Sequence, residues 1–488
     1  MSLYLGIDFG TSTNLVIQWD NEKKRPKQTN GLGSYGKSGV FPNVIYYEPN
    51  GGNPIVGELA IDKAKNDPYN YVDGIKRHIG EKNFRKNIPN LGRELTSEDI
   101  AKDIFTWIKN KVEGSKGGEK IDGVVISVPF AFQHMEKERI KNAAINAGLN
   151  VIGLIEEPVA AALTYGLHTN VSKTKETILV FDLGGGTLDI TIFDFIKKTE
   201  DRFAVYVVGT AGDKKLGGRD VDELIFNKLV HILKQKHPDF EENSIDLLDI
   251  AKQAQDIKLD LSFGDDSVFS FKSYKKDNCE LYEDIGTELL NDTLSKNGFL
   301  DKIKNILDDL ILEMEDNDVN FCKENIDKIL LVGGSSNLEA VQDILTDYFG
   351  KKPQKLNGVE MDELVGMGAA IYCGILLDNK IKYIVRSCVS HSIGIKKNGK
   401  FIPMLQRNTK YEEESTKEQI FLKNFELDIY QYIDKPIPIG KIYIDQNKLN
   451  DISNIFLSLT TDKSGLVQYI LYDKDNNLIE KNFIKGAK

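Results

Sequence analysis

Residues 177–195 read TILVFDLGGGTLDITIFDF. Ile178, Leu179, Val180 and Phe181 have the composition of a buried strand. Asp182 enters a bend made by Gly184, Gly185 and Gly186, Thr187 follows, and a strand leaves through Ile190 and Ile192. Glycines at such a bend let backbone amides approach phosphate oxygens closely, and the Thr187 hydroxyl adds a donor. A carboxylate there would repel bare phosphate. It makes sense if a hydrated Mg2+ lies between the two. Taken alone, the segment is equally a β-hairpin with a glycine turn.

The plan occurs twice. Residues 3–19, LYLGIDFGTSTNLVIQW, again run strand, tight turn, strand. Asp8 enters the turn, and Gly10, Thr11, Ser12 and Thr13 form it. Two copies of D-x-G, small residues and Thr indicate an internal repeat of one supersecondary unit, and argue against two accidental hairpins. A third glycine stretch closes residues 328–345, KILLVGGSSNLEAVQDIL. Ile329 to Val332 read as a buried parallel strand; Gly333, Gly334, Ser335 and Ser336 make the bend. Asn337 is expected to open an amphipathic helix carrying Leu338, Val341, Ile344 and Leu345 on one face. A helix N-terminus beside a strand end can seat a sugar or a phosphate.

Residues 31–38, GLGSYGKS, match the phosphate-loop pattern G-x-x-x-x-G-K-S letter for letter. A phosphate loop needs a strand before it and a helix starting at the Lys-Ser pair. The preceding DNEKKRPKQTN is polar and contains a proline; the following GVFPNVIYYEPNGG is strand-like and ends in a turn. The reading is therefore a glycine-serine loop between two strands.

The chain has 488 residues, enough for roughly two to four domains. A hydrophobic content of 41% and a charged content of 28% are those of a globular protein. With 63 Lys and Arg against 74 Asp and Glu, the formal charge is 63 − 74 = −11, which disfavours binding of nucleic acid through its phosphates. The four cysteines, Cys279, Cys322, Cys373 and Cys388, show no C-x-x-C or zinc spacing and read as reduced thiols. No apolar run is long enough to span a bilayer, and the start MSLYLGIDFG lacks the basic-then-apolar pattern of a secretion signal. Neither a membrane partner nor secretion is expected; the cytoplasm is the default compartment.

In order, the three glycine segments resemble the phosphate-1, phosphate-2 and adenosine motifs of the actin, hexokinase and heat-shock-70 ATPase superfamily. The stretches YVDGIKRHIG (71–80), VVISVPFAF (124–132), AGLNVIGLIEEPVAAALTYGL (147–167) and TAGDKKLGGRDVDELI (210–225) narrow the resemblance to the heat-shock-70 (DnaK-type) chaperones. It implies an α/β fold: a two-lobed, actin-like ATPase domain of two ribonuclease-H-like lobes over residues 1–380, with lobe I to about 170 and lobe II from about 171 to 378. Outer subdomains would cover 39–113 and about 213–297. A linker over 381–389 and a C-terminal antiparallel β-sandwich over 390–488 would follow. It also implies ATP and ADP as ligands, with Mg2+ and a bound K+ ion. By resemblance the catalytic set is Thr11, Lys76, Glu157, Asp182 and Thr187: Lys76 reaches the γ-phosphate and attacking water, and Glu157 helps position metal and water. Asp8 and Asp182 orient hydrated Mg2+, and Asp189 is associated with the monovalent cation. Nucleotide contacts would come from Gly10, Thr11, Ser12, Thr13, Lys76, Gly184, Gly185, Gly186, Thr187, Gly217, Gly218, Gln255, Lys258, Ser262, Gly333, Gly334, Ser335, Asn337 and Asp362. Independently of the resemblance, Glu157 precedes Pro158, a residue favoured in a first helical turn. The helix PVAAALTYG is expected to end at Gly166. Glu157 would then stand at a positive helix end. Asp220 and Glu223 are candidates for a helix N-cap pair.

There are departures. Gln255 stands where the family has a glutamate, Leu259 where it is usually basic, and Asn337 where an arginine usually lies against adenine. The linker stretch IKYIVRSCV carries Arg386 and Ser387 in place of the family's leucine-rich, acidic pattern. Residues 390–488 show short alternating runs with turns at Lys463-Ser464-Gly465 and Asp475-Asn476-Asn477. In the family such a domain holds an extended apolar polypeptide; Ile395, Phe425 and Leu427 would either line that groove or belong to the sandwich core. The sequence stops near where the family's helical lid begins, so no lid is expected here, whether the form is naturally short or truncated. Three readings follow: a chaperone ATPase assisted by a J-domain-type co-chaperone and a nucleotide-exchange factor, an ATP-switched module for one dedicated partner, and a small-molecule kinase of the same superfamily.

Overall fold

The computed structural model describes residues 2–29, 32, 39–168, 174–199, 202–274, 279–317, 321–377, 383–420, 425–433, 435–444 and 454–486. Most of the GLGSYGKS stretch and the first two residues of the linker lie outside the described residues. The chain divides into two compact units. The first comprises Met1–Lys175, Phe193–Thr210 and Glu363–Lys488; the second comprises Glu176–Ile192 and Ala211–Asp362.

The first unit grows from the strand Leu3–Phe9. It pairs antiparallel with Thr13–Asp20 and parallel with Ile121–Val128, which is parallel to Val151–Glu156. Strand alternation sends Leu3, Leu5, Ile7 and Phe9 to one face, where they share a core with Ile100, Ile104 and Phe105 of the Ser97–Ser115 helix and Ile140 of the His134–Asn146 helix. Thr96 and Asp99 cap the former reciprocally. Gly6 and Asp8 fall on the other face. There the Leu364–Leu377 helix, almost wholly apolar, is buried. Its approach needs glycine: a Cβ on Gly6 would lie 2.2 Å from the Ala370 nitrogen, and one on Gly368 would lie 1.8 Å from the Ala160 oxygen.

Within the polar, proline-bearing stretch before residue 30, Arg25–Gln28 forms an outer strand opposite Ile17–Asp20. Its alternation signal is absent because none of its four side chains is buried, and proline is tolerated at a sheet edge. In the same unit, Tyr383–Arg386 of the linker lies parallel to Phe203–Tyr206.

The described residues between 393 and 486 form two antiparallel sheets. One runs in the order Lys400–Leu405, Ile393–Lys397, Glu426–Tyr432, Pro436–Tyr443, Lys485–Gly486; the other Glu418–Ile420, Ile455–Thr461, Val467–Tyr472, Leu478–Phe483. Ile393, Ile395, Ile429 and Ile439 of the one share a core with Ile455, Leu457, Leu459 and Val467 of the other. The two expected turns occur between Thr461 and Val467 and between Tyr472 and Leu478, with Gly465 and Asn476 at positive φ. These sheets belong to the first unit and are bonded to its helices and strands. The His134 N–H donates to Gln431 Oε1 (3.3 Å), and the Leu154 N–H donates to Ser464 Oγ (3.0 Å).

In the second unit, Lys175–Leu183 pairs in parallel with Lys328–Val332, bringing Asp182 level with Val332. The Gly218–Lys236 and Ser244–Phe263 helices pack together, and the hairpin Ser267–Lys272/Glu280–Ile285 packs on the latter. Among the described residues no helix is long and apolar enough to cross a membrane.

Candidate functional site

In the first unit Asp8 stands near the end of the Leu3–Phe9 strand, and Gly10, Thr11 and Ser12 turn the chain into Thr13–Asp20. The turn is tight: a Cβ on Gly10 would lie 2.1 Å from the Thr13 oxygen. Asn43 clamps it from outside, its N–H donating to the Ser12 oxygen (2.8 Å) and its side-chain amide to the Gly10 oxygen (2.5 Å). Thr11 is buried, whereas Ser12 and Thr13 are exposed. Ser127 donates its hydroxyl to Asp8 Oδ1 at 2.6 Å.

Lys76 is only 3% exposed. It lies on the 3-10 turn Ile75–His78, which Gly74 opens at φ +60°, and its ammonium is bonded to the Glu157 carboxylate. Phe132 presents its ring face 5.9 Å from the same ammonium. Glu157 is the first residue of the Glu157–His168 helix, immediately after the strand Val151–Glu156. The helix runs two residues past the Gly166 end expected from sequence. Gly166 is buried within it rather than serving as its stop. The neighbouring Glu156 takes a different set of partners. Its carboxylate receives the Lys137 ammonium (2.8 Å) and the Tyr411 hydroxyl, and Lys137 also reaches Tyr411 (2.9 Å). All three are buried, which holds the Tyr411 hydroxyl well above its ordinary pKa.

In the second unit Asp182 is buried at the strand end. Gly333, at φ +77°, approaches so closely that a Cβ there would lie 2.5 Å from Asp182 Oδ1 and from the Leu183 oxygen. Ser336 ties the two strand ends, accepting from the Leu183 N–H (3.1 Å) and donating to the Val332 oxygen (2.6 Å). The Gly184–Gly186 bend receives the start of the Gly218–Lys236 helix: the Gly218 N–H donates to the Gly184 oxygen (2.9 Å) and the Arg219 N–H to the Gly185 oxygen (2.8 Å). Gly217 is the N-cap, and Asp220 accepts its N–H at 2.7 Å. Glu223 takes no part in that cap. Thr187, just before the outgoing strand Leu188–Thr199, and Asp189 on that strand are both buried.

Lys258 of the Ser244–Phe263 helix reaches Asp222 Oδ1 (2.6 Å) and the Gly218 oxygen (3.2 Å), while Ser262 donates back to the Lys258 oxygen (2.7 Å). Burial pushes the Asp222 carboxyl up, against the pull of Lys258. Gln255 is exposed, and Leu259 is 51% exposed on the same helix. Ser335 is buried close to Gly218. Asn337 closes the 3-10 turn Gly334–Asn337, its amide on the Gly334 oxygen (3.2 Å). It does not open the helix, which is Glu339–Phe349 with Leu338 at its N-cap. Asp362 is half-buried in a turn.

The structure thus gathers Asp8, Gly10, Thr11, Lys76 and Glu157 in one unit, and Asp182, Gly184–Gly186, Gly217, Gly218, Lys258, Gly333 and Ser335 in the other. Sequence reading missed Asn43, Ser127, Phe132, Asp222 and Ser336, whose partners are set by sheet register and helix packing. The four cysteines are free; burial pushes the Cys373 thiol up to about 12, so it stays unreactive.

Two units that each close a strand with an aspartate and a glycine-hydroxyl turn, the first of them also carrying paired antiparallel sheets, define a mixed α/β protein. A family model for the Hsp70 protein matches residues 4–425. The chain belongs to the Hsp70 family, whose members are chaperones and ATPases.

Proposed function

We propose that the protein is an ATP-dependent chaperone that hydrolyses ATP with Mg2+ and links nucleotide state to the holding of extended apolar polypeptide by residues 390–488. The observation that carries the reading is the buried Lys76–Glu157 pair. A desolvated lysine is expensive to keep unless its charge is used or matched, and Lys76 stands on a glycine-opened turn with Phe132 behind it. In this reading Glu157 holds the Lys76 ammonium before nucleotide arrives, then orients the attacking water while Lys76 neutralises charge on the transferred phosphoryl group. Thr11 and Thr187 supply hydroxyl donors, and the glycine turns supply amides.

Among the described residues no three His, Cys, Asp or Glu side chains gather as metal ligands. Asp8, Asp182 and Asp189 are offered singly. Such a donor set suits a magnesium ion that keeps most of its waters and takes phosphate oxygens. When bound it would supply charge neutralisation on the phosphates. Asp8 in the first unit and Asp182 in the second are each candidates to act on it through water, and Asp189 would serve a monovalent cation. Leu259 and Asn337 replace cationic contacts to the base, so nucleotide binding should rest mainly on the phosphate and ribose contacts.

Coupling is supported by two features inside the first unit. The linker strand Tyr383–Arg386 is hydrogen-bonded beside Phe203–Tyr206. Tyr411, from the C-terminal sheets, bonds to Glu156, the residue before Glu157. A J-domain-type co-chaperone and a nucleotide-exchange factor are the partners this reading calls for. One observation favours a dedicated partner over general clients: Ile395 is 3% exposed within the core and so is not presented to a peptide, and Leu427 is half-buried against that core.

The test is ATP hydrolysis with Mg2+ by the intact chain and by Lys76→Ala, with and without a panel of apolar peptides. Slow turnover, lowered about 100-fold or more in Lys76→Ala and stimulated by peptide, is expected. Turnover indifferent to every peptide would transfer the C-terminal sheets to a dedicated partner. Absence of nucleotide binding would refute the reading.

A further inference from the structure

We infer that Ser127 is the positioning residue that sets the carboxylate of Asp8 for its metal; the inference rests on the proposed reading of the site. Asp8 and Ser127 are direct partners in the parallel register between Leu3–Phe9 and Ile121–Val128. Their side chains therefore leave the sheet on the same face at neighbouring positions. The resulting bond is short, 2.6 Å from hydroxyl to Oδ1, as expected for a hydroxyl donating to an ionised carboxylate.

The placement of Ser127 is otherwise unaccounted for. Val124, Val125, Ile126 and Val128 around it are buried aliphatics, and Ser127 itself is 0% exposed. A strand sealed in this way is best filled by apolar side chains, and a hydroxyl there is tolerated only with a partner. Its partner is the residue that opens the glycine turn. The bond occupies one lone-pair direction of Asp8 Oδ1 and so restricts the carboxylate's rotation about its last torsion. That torsion is soft in aspartate. A carboxylate acting on a metal through ordered water must be turned toward that water, and loss of an orienting partner commonly weakens metal binding roughly 10- to 100-fold.

The experiment is calorimetric titration of ADP into the full chain across a range of Mg2+ concentrations and in EDTA, for wild type, Ser127→Ala, Ser127→Thr and Ser127→Cys. Expected in Ser127→Ala is a half-saturating Mg2+ concentration raised about 10-fold, with ADP affinity in EDTA unchanged. Ser127→Thr, which keeps the hydroxyl, should restore the wild-type requirement. Ser127→Cys has nearly the same shape and a weaker donor; it should fall between, and it serves if the alanine variant does not fold. An unchanged Mg2+ requirement in Ser127→Ala or Ser127→Cys overturns the inference. So does a loss of ADP affinity of equal size with and without Mg2+, which would mark a structural role. Wild-type protein that binds no ADP would overturn the proposed function itself, and this inference with it.

Discussion

Acidification should loosen the C-terminal sheets from the rest of the first unit through one residue, His134. The residue begins the His134–Asn146 helix and is wholly buried. Its Nδ1 accepts the Val467 N–H at 3.2 Å, so the ring proton sits on Nε2, which finds no hydrogen-bond partner among the described residues. Protonation would put a second N–H against the Val467 N–H inside an apolar junction. Burial, reinforced by Lys137, accordingly pushes the imidazole down from 6.5 to about 3. The groups nearest this junction from the packed elements are Lys137 and Lys141 on the same helix, Glu156 on the adjacent strand, and Tyr411 and Asp462 from the C-terminal sheets. At pH 7.5 the imidazole is neutral whether docked or exposed. Below 6.5 the exposed ring takes a proton that the buried ring refuses, so the open state gains and docking weakens as pH falls. At pH 5.5, one unit below the exposed value, the loss is about 1.4 kcal/mol, or roughly 10-fold in the opening equilibrium. The assay is hydrogen exchange at the Val467 amide, corrected for intrinsic rates, at pH 7.5 and 5.5 in wild type and His134→Asn. Asparagine keeps an acceptor near Nδ1 but does not titrate. Protection should drop about 10-fold in wild type and much less in the variant. An equal drop in both would refute the argument and assign the pH response to the carboxyls.

Two further outcomes follow from the same geometry. Tyr411→Phe removes the hydroxyl from the buried Lys137–Glu156 pair and should lower stability by about 1–2 kcal/mol, read as a reduced thermal midpoint. An unchanged midpoint would mean that water replaces the hydroxyl. Gly333→Ala forces a side chain onto Asp182 and a positive φ onto alanine. It should weaken Mg2+-dependent nucleotide binding at least 10-fold if Asp182 orients the metal, and full retention by titration would show that the loop moves aside at little cost.

The glycine turns were legible because their signals are local. An aspartate, glycine and a threonine between apolar stretches specify a bend between strands, and two such bends followed in order by a third glycine bend resemble one family. Glu157 before Pro158 is likewise a local helix-start signal, and the helix does start there. Local signals failed where a residue's fate depends on something distant. Arg25–Gln28 carries no alternation signal, and becomes a strand only because Ile17–Asp20 offers it an edge. Gly166 reads as a stop, yet the helix runs on to His168, whose ring bonds back to the Thr164 oxygen (3.0 Å). Asn337 reads as a helix start, and is instead the end of a 3-10 turn.

What the sequence determined by itself is therefore the set of chemical groups and the local bends that carry them: Asp8 and Asp182 at strand ends, the glycines after them, Glu157 at a helix start. What only the tertiary structure decided is pairing. Nothing local tells that Ser127 meets Asp8, that Lys76 meets Glu157 across 81 positions, or that Glu156 turns to Tyr411 while its neighbour turns to Lys76. Bends depend on the torsions of a few consecutive residues, which sequence encodes directly. Pairings depend on strand register and helix packing, which arise from the summed burial of side chains far apart in the chain.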